Sequence, residues 1–95
     1  MGIADQIYAL GAHQNAAFTN AGSTAVTNAF GLATTVVRVV ATADSFVKIG
    51  NTPTAATTDM ILNANVPEYF VAAPGMKIAA RGVSGSGTVH VTEVG

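Results

Sequence analysis

The sequence predicts an all-β fold: a small antiparallel β-sandwich or jelly-roll-like barrel with an extended N-terminal arm. Short runs of β-branched and aromatic residues recur through the second two thirds of the 95-residue chain. These runs are separated by glycine, proline, asparagine and serine, which are typical of turns. No connection is long and periodic enough to form a crossover helix between parallel strands. We therefore divide the chain into an N-terminal arm or interface segment, residues 1–32, and a β-sandwich domain, residues 33–95.

The clearest turn is Pro74-Gly75, which lies between strand patterns at residues 66–71 and 76–81. Proline presets φ for the first central position of a type II turn, and glycine supplies the positive φ needed at the second. The pattern predicts an antiparallel hairpin with Glu68 paired to Lys77 across it. The side chains expected in the core or in a tight interface are Phe46, Tyr69, Phe70 and Ile78.

The run at residues 34–42 is almost entirely β-branched, and every second residue from Val37 faces the same side. An Ala43-Asp44 turn, in which Asp44 is expected to bond its own backbone, leads to a strand at residues 45–49. These two strands are predicted to pair as a hairpin. The remaining strands are predicted at residues 60–62 and 88–94, with a loop at residues 50–59 and a hairpin loop at residues 84–87.

Residues 1–32 are rich in alanine, asparagine, threonine and glycine, and carry isolated large apolar residues. Residues 5–10 fit either a short helix or an arm, and residues 23–30 fit a strand. Segments of this kind often become ordered only against a neighbouring subunit. The interface residues predicted from this segment are Ile7, Tyr8, Leu10 and Phe18.

Charge is sparse: 9% of the residues are charged, 49% are hydrophobic, and the net charge is −1. Ordinary domains carry about 25% charged residues, so we expect protein partners, including further copies of the chain, to cover part of this surface. No basic patch provides the counterion release that drives nucleic-acid binding. Neither a polybasic signal nor an apolar run of about 20 residues indicates a membrane partner. The absence of cysteine excludes a disulfide framework.

The side chains of the sequence do not predict an enzyme, a metal site or a cofactor site. His13 and His90 lie far apart in the chain, and a catalytic or metal role needs convergent partners. Asp44, Asp59 and Glu68 are not spaced as paired catalytic carboxylates, and we expect them in turns and strand pairs. The glycine- and serine-rich loop at residues 84–87 lacks the lysine of a phosphate-binding loop.

Several segments carry a resemblance to a known family: residues 36–50, 51–57, 60–62, 66–70, 74–79 and 87–93. The most specific feature is the spacing of Pro67-Glu68-Tyr69-Phe70 to Pro74-Gly75. Together these segments resemble the small accessory virion structural proteins of tailed bacteriophages, of the capsid decoration or cement type. Residues 1–32 do not contribute to the resemblance.

The resemblance implies a non-enzymatic β-sandwich that sits on the outer capsid shell, as a trimer at local threefold positions, and stabilises the shell. The implied partners are the major capsid protein and further copies of the chain. The implied location is the capsid surface, after synthesis in the cytoplasm of the bacterial host. The alternative is a tail or head-completion component that binds a receptor or a carbohydrate through its β module.

Overall fold

The computed structural model describes residues 10–31 and 36–94, and all regular structure within these residues is β-strand. The predicted all-β fold is therefore confirmed. Eight strands follow one another in the described chain: β1 (Leu10–Phe18), β2 (Thr24–Ala25), β3 (Val36–Ala41), β4 (Ser45–Gly50), β5 (Met60–Leu62), β6 (Glu68–Val71), β7 (Lys77–Gly82) and β8 (Gly87–Val94).

The strands form two four-stranded antiparallel sheets that pack face to face. Sheet 1 has the order β1-β8-β3-β6, and sheet 2 has the order β2-β7-β4-β5. This arrangement of eight strands is that of a jelly roll, in which the chain forms two Greek keys around a single core. The predicted sandwich therefore takes the jelly-roll strand order.

Successive strands alternate between the two sheets, except that β4 and β5 pair with each other in sheet 2. The hairpins predicted between β3 and β4, β6 and β7, and β7 and β8 are therefore wrong. Local turn signals do not distinguish a turn within a sheet from a turn between sheets, because both require the same reversal of the backbone. Glu68 and Lys77 accordingly lie in different sheets and do not face each other across a hairpin.

The turn predicted at Pro74-Gly75 is present, although it joins two sheets. Gly75 has a φ of 83°, in the left-handed region. The N–H of Met76 donates to the carbonyl oxygen of Ala73 at 3.2 Å. Both features are those of a type II turn, and the reversal carries the chain from β6 in sheet 1 to β7 in sheet 2.

The core lies between the sheets and is built from alternate residues of each strand. In β3 the buried residues are Val37, Val39 and Ala41, as predicted. Val39 pairs in register with Val91, which is also buried. The largest fully buried apolar side chains are Phe18, Leu62, Ile78, Val26, Val37, Val39, Val89 and Val91. The prediction for Ile78 is confirmed.

Residues 10–31 form part of the sandwich, which differs from the predicted arm. β1 pairs with β8 at Leu10 and, after a register shift, from His13 to Phe18. The N–H of Val26 donates to the carbonyl oxygen of Ile78 at 2.9 Å. Phe18 is 1% exposed and packs in the core of its own chain with Val26 and Phe30. The boundary predicted at residue 32 therefore does not separate an arm from the sandwich in these residues. Residues 10–31 are mostly small and polar, but three of their large side chains, Phe18, Val26 and Phe30, complete the core.

One side of the sandwich is closed by β1 and by the segment that follows it. The side-chain amide of Gln14 donates to the carbonyl oxygen of Asn28 at 2.7 Å. The side-chain oxygen of Gln14 accepts the N–H of Asn28 at 3.0 Å. These two bonds satisfy both backbone groups of Asn28 and join the edge of sheet 1 to the segment that runs along sheet 2. We call this the closed side.

Gly82 should not tolerate a side chain, whereas Gly85 should. A Cβ atom at Gly82 would overlap the carbonyl oxygen of Gly85, and a Cβ atom at Gly85 would meet nothing within 4 Å. We expect Gly82→Ala to lower the free energy of unfolding by about 1–3 kcal/mol, because the backbone of the turn must shift to make room for the side chain. Gly85→Ala should change it by less than about 0.5 kcal/mol. Urea denaturation measures both, and equal effects would contradict this turn geometry.

Phe18→Ala should lower the free energy of unfolding by about 3–5 kcal/mol, because its ring is buried in the core. Val83→Ala is the control, since Val83 is 40% exposed and should have little effect. Denaturant unfolding of the full chain provides the measurement. An unchanged unfolding midpoint for Phe18→Ala would place the ring outside the core and restore the arm interpretation.

Candidate functional site

The side of the sandwich opposite the closed side is open. It is bounded by β5 and β6, the last strands of the two sheets in the part of the chain that the structure describes. Between these strands lies a shallow groove of ≈ 240 Å³, which we call the edge groove. Its lining residues are Val47, Lys48, Ile49, Met60, Phe70 and Val71.

The strand registers explain why the edge groove is apolar. Phe70 pairs with Val37, whose side chain is fully buried, so the two share the core face of sheet 1. Met60 pairs with Val47, which lies on the core face of sheet 2. Because β5 and β6 are both edge strands, no further strand among the described residues covers Met60 and Phe70. The edge groove is therefore a place where the core reaches the surface.

Exposed large apolar side chains are concentrated in the segment that contains β5 and β6, and two of them, Met60 and Val71, line the edge groove. Val71 is 85% exposed. Val83 follows β7 and lies outside the groove lining, where its N–H donates to the carbonyl oxygen of Asp44 at 3.0 Å. Exposed apolar residues in a cluster mark interaction sites more often than isolated ones do. The exposed large apolar residues within residues 60–71 are Met60, Ile61, Val66, Tyr69 and Val71.

The aromatic residues of β6 do not lie in the core of the single chain. Tyr69 is 52% exposed, while Phe70 is half-buried and packs against the core from the open side. Phe46 is also half-buried. The sequence predicts these three residues to lie in the core or in a tight interface. Their position in an interface stays a prediction.

A sequence signal for the apolar edge existed in β5 and β6. Each strand contains three successive apolar residues, Met60-Ile61-Leu62 and Tyr69-Phe70-Val71. A strand with one solvated face alternates apolar and polar residues. Such a run therefore makes both faces of the strand apolar, and on an edge strand one of them meets solvent. Periodicity alone could not show that both strands would border the same opening.

The four predicted interface residues are not brought together in the described structure. Ile7 and Tyr8 lie outside the described residues. Leu10 begins β1 and pairs in register with Val94, and Phe18 is buried in the core. The surface formed by β5 and β6 was not among the predicted interface residues.

The outer face of sheet 1 carries a row of polar and aromatic residues. The register places His13, Thr92, Arg38 and Tyr69 side by side across the four strands. His13 Nδ1 and Thr92 Oγ1 are 2.9 Å apart. The ring of His13 stacks on that of His90, with centroids 5.8 Å apart and planes inclined by 18°. Two histidines that are distant in the sequence are therefore neighbours on this face.

The stacked histidines are poorly arranged to share a metal ion. Each imidazole directs its nitrogen lone pairs in the plane of its own ring, so two nearly parallel rings do not aim them at one point. Within residues 10–31 and 36–94 there is no group of three or more His, Cys, Asp or Glu residues that could hold a metal ion. What this face offers is a set of hydrogen-bonding groups beside an exposed aromatic ring.

The two central aspartates have structural roles. Asp44 Oδ1 accepts the N–H of Ala64 at 2.7 Å, so it joins the β3–β4 turn to the segment before β6. The expected bond to its own turn is replaced by this longer-range one. Asp59 Oδ2 accepts the N–H of Ala56 at 2.7 Å and closes the turn before β5. Neither carboxylate is directed into the edge groove.

Comparisons with known proteins identify no relative of this chain. No family model, no curated protein and no solved structure matches it. Among the described residues, no helix is long and apolar enough to cross a membrane. The interpretation of the edge groove therefore depends on its own geometry and chemistry.

A charge placed at the edge groove should reduce its apolar character without harming the fold. We expect Val71→Lys to change the free energy of unfolding by less than about 0.5 kcal/mol, because Val71 is 85% exposed. The variant should also bind an environment-sensitive apolar dye less than the wild type does. Val83→Lys is the matched control and should keep wild-type dye binding. Wild-type dye binding by Val71→Lys would show that the groove is not the accessible apolar site.

Proposed function

We propose that this chain is a structural virion protein that decorates and stabilises the capsid of a tailed bacteriophage as a homotrimer on the outer shell. The observation that supports this most strongly is the open apolar side of the sandwich, where the core reaches the surface between β5 and β6. An apolar opening of this kind is suited to contact with protein rather than with water. The resemblance of residues 36–94 to accessory virion proteins supports the same role.

The composition indicates the kind of contact that such a protein makes. With four basic and five acidic residues in the whole chain, attachment to a shell has few ion pairs available. Lys48 is the one charged residue among those that line the edge groove. Contacts with the major capsid protein and with other copies are therefore mainly apolar and hydrogen-bonded.

The jelly-roll strand order is compatible with this proposal. Jelly rolls occur in viral capsid domains and in lectin domains. Because one fold hosts many functions, the strand order supports the proposal by analogy alone.

The outer face of sheet 1 favours a second candidate, a tail or head-completion component that binds a receptor or carbohydrate. Tyr69 is exposed and lies beside Arg38 in register. An aromatic ring beside a guanidinium and imidazole groups offers both an apolar surface and hydrogen-bond donors. Electron microscopy and mass spectrometry of purified particles would separate the two functions by location and copy number.

Capsid attachment is tested by co-sedimentation with particles that lack this protein. The full-length chain should co-sediment, and attachment should change little between low and moderate salt, since exposed ion pairs are the contacts that salt screens. Deletion of residues 2–8 should weaken attachment more than it lowers the stability of the isolated domain. The deletion ends there because β1 begins at Leu10 and must stay intact.

Val71→Lys and Val83→Lys form the matched pair for the same assay, and the first should weaken attachment more than the second. A monomer that never co-sediments would exclude decoration and favour the tail component. Attachment that collapses with added salt would show an ionic contact and contradict the apolar account.

A further inference from the structure

We propose that the outer face of sheet 1 binds an acidic saccharide, and that Arg38 holds the carboxylate of the sugar. This inference rests on the second candidate function, whose ligand it specifies, and it does not depend on capsid decoration, which uses the open side. The site is the polar row, by which we mean the four residues in register across sheet 1: His13, Thr92, Arg38 and Tyr69.

The polar row contains a positive charge and no acidic side chain. The strands of sheet 1 contain two acidic residues, Glu68 and Glu93. They pair in register with Val39 and Val37, whose side chains are buried in the core. Because paired residues share a face of the sheet, both carboxylates belong to the face opposite Arg38. The outer face of sheet 1 therefore favours an anionic ligand.

Arg38 is the group that would bind the anion. It lies on β3, an inner strand of sheet 1, and is half-buried. In residues 10–31 and 36–94, no carboxylate forms an ion pair with its guanidinium. A guanidinium presents its N–H groups as a planar fork that matches the two oxygens of a carboxylate. Arg38 thus offers this fork to a ligand from outside the chain.

Thr92 and the two histidines add hydrogen-bonding groups beside Arg38. Thr92 pairs with Arg38 on one side and with His13 on the other. The contact of 2.9 Å between Thr92 Oγ1 and His13 Nδ1 leaves Nε2 as the His13 nitrogen for a ligand. His90 extends this set, since its ring stacks on that of His13. Sugar hydroxyls both donate and accept hydrogen bonds, so they match an imidazole in either tautomer.

The surroundings of the polar row favour a sugar over a simple anion. Tyr69 is 52% exposed and pairs with Arg38, so an aromatic ring borders the anion site. The next row along the strands is apolar: Val94, Val36 and Val71. A sugar ring has apolar C–H faces as well as hydroxyls, and an aromatic side chain with a polar tip suits such a ligand. Inorganic phosphate has no apolar part that would use these side chains.

The size of the polar row favours an oligosaccharide. The row crosses four strands of sheet 1. Three strand spacings amount to about 14 Å, which is longer than a single sugar ring. Arg38 therefore binds the carboxylate of one sugar unit, while Tyr69 and His13 contact the units on either side.

Binding of oligosaccharides to the full-length protein tests this site. The probes are immobilised oligosaccharides that contain glucuronic, galacturonic or sialic acid, each beside its own methyl ester. One or more of the acidic probes should bind about tenfold more tightly than its ester, because hydrogen bonds from a guanidinium to an ionised carboxylate are stronger than those to a neutral group. No binding, or equal affinity for every acid and its ester, would overturn the inference.

Arg38→Gln and Lys48→Gln form a matched pair, because each removes one positive charge. Lys48 is exposed and lies on the outer face of sheet 2, since its neighbour Val47 belongs to the core. Arg38→Gln should weaken binding of the acidic probe about tenfold or more, and Lys48→Gln should not. Equal losses would show attraction to the net charge of the protein and would overturn the inference.

His13→Ala is a second variant, chosen because His13 is exposed and Arg38 is half-buried. It should keep the wild-type unfolding midpoint and weaken binding about threefold or more, since one hydrogen bond to the ligand is lost. Wild-type binding by both His13→Ala and Arg38→Gln would place the saccharide elsewhere and overturn the site.

Two further comparisons separate this site from protein contacts. A peptide of alternating glutamate and serine supplies carboxylates without sugar rings, and it should bind more weakly than the best acidic oligosaccharide. Equal affinity would show recognition of acidic protein segments and overturn the saccharide assignment. Arg38→Gln should keep wild-type co-sedimentation with capsids, and loss of attachment would place the shell contact on this face and overturn the inference.

The results for saccharide and capsid are independent of each other. Absence of saccharide binding with intact co-sedimentation would overturn the inference and leave decoration standing. Saccharide binding that depends on Arg38, without co-sedimentation, would support the site while decoration fails.

Discussion

The passage of the chain from one sheet to the other at almost every turn is the constraint on which the rest of the structure depends. Apart from the β4–β5 pair, each strand pairs with strands that are not its neighbours in sequence, and β1 and β8 pair although they lie at the two ends of the described chain. The stability of each sheet therefore requires the other, since every connection except that between β4 and β5 runs from one sheet to the other. Glycines at tight crossings, such as Gly82, are part of this constraint because a side chain would meet the backbone of the turn.

The two sides of the sandwich end in different ways, and this difference is the basis of the proposed function. On the closed side, Gln14 bonds both backbone groups of Asn28 and joins the two sheets. On the open side, β5 has three residues and β6 has four, and the core residue Val47 and the half-buried Phe70 line the groove between them. Short edge strands limit uncontrolled pairing, but here they also leave an apolar opening. A partner that fills it gains burial that the single chain lacks.

The fold class and much of the detail were predictable from the sequence. The alternation in β3 identified Val37, Val39 and Ala41 as core residues, and Pro74-Gly75 marked a turn with positive φ, because both are local consequences of backbone geometry. The role of residues 10–31 was not predictable in the same way. Their high content of alanine, asparagine and threonine is typical of an extended arm. Only the pairing of β1 with β8 and of β2 with β7 shows that Phe18, Val26 and Phe30 complete the core.

The sequence by itself determined that the chain forms a sandwich of short strands, where most of them lie, and that its surface carries little charge. The tertiary structure alone decided which strands are neighbours, because a turn signal does not specify whether the chain reverses within a sheet or crosses to the other. The tertiary structure also places Met60 and Phe70 in the same edge groove and stacks the ring of His13 on that of His90. These are relations between distant residues, and they arise from the order of strands across a sheet rather than from any local pattern.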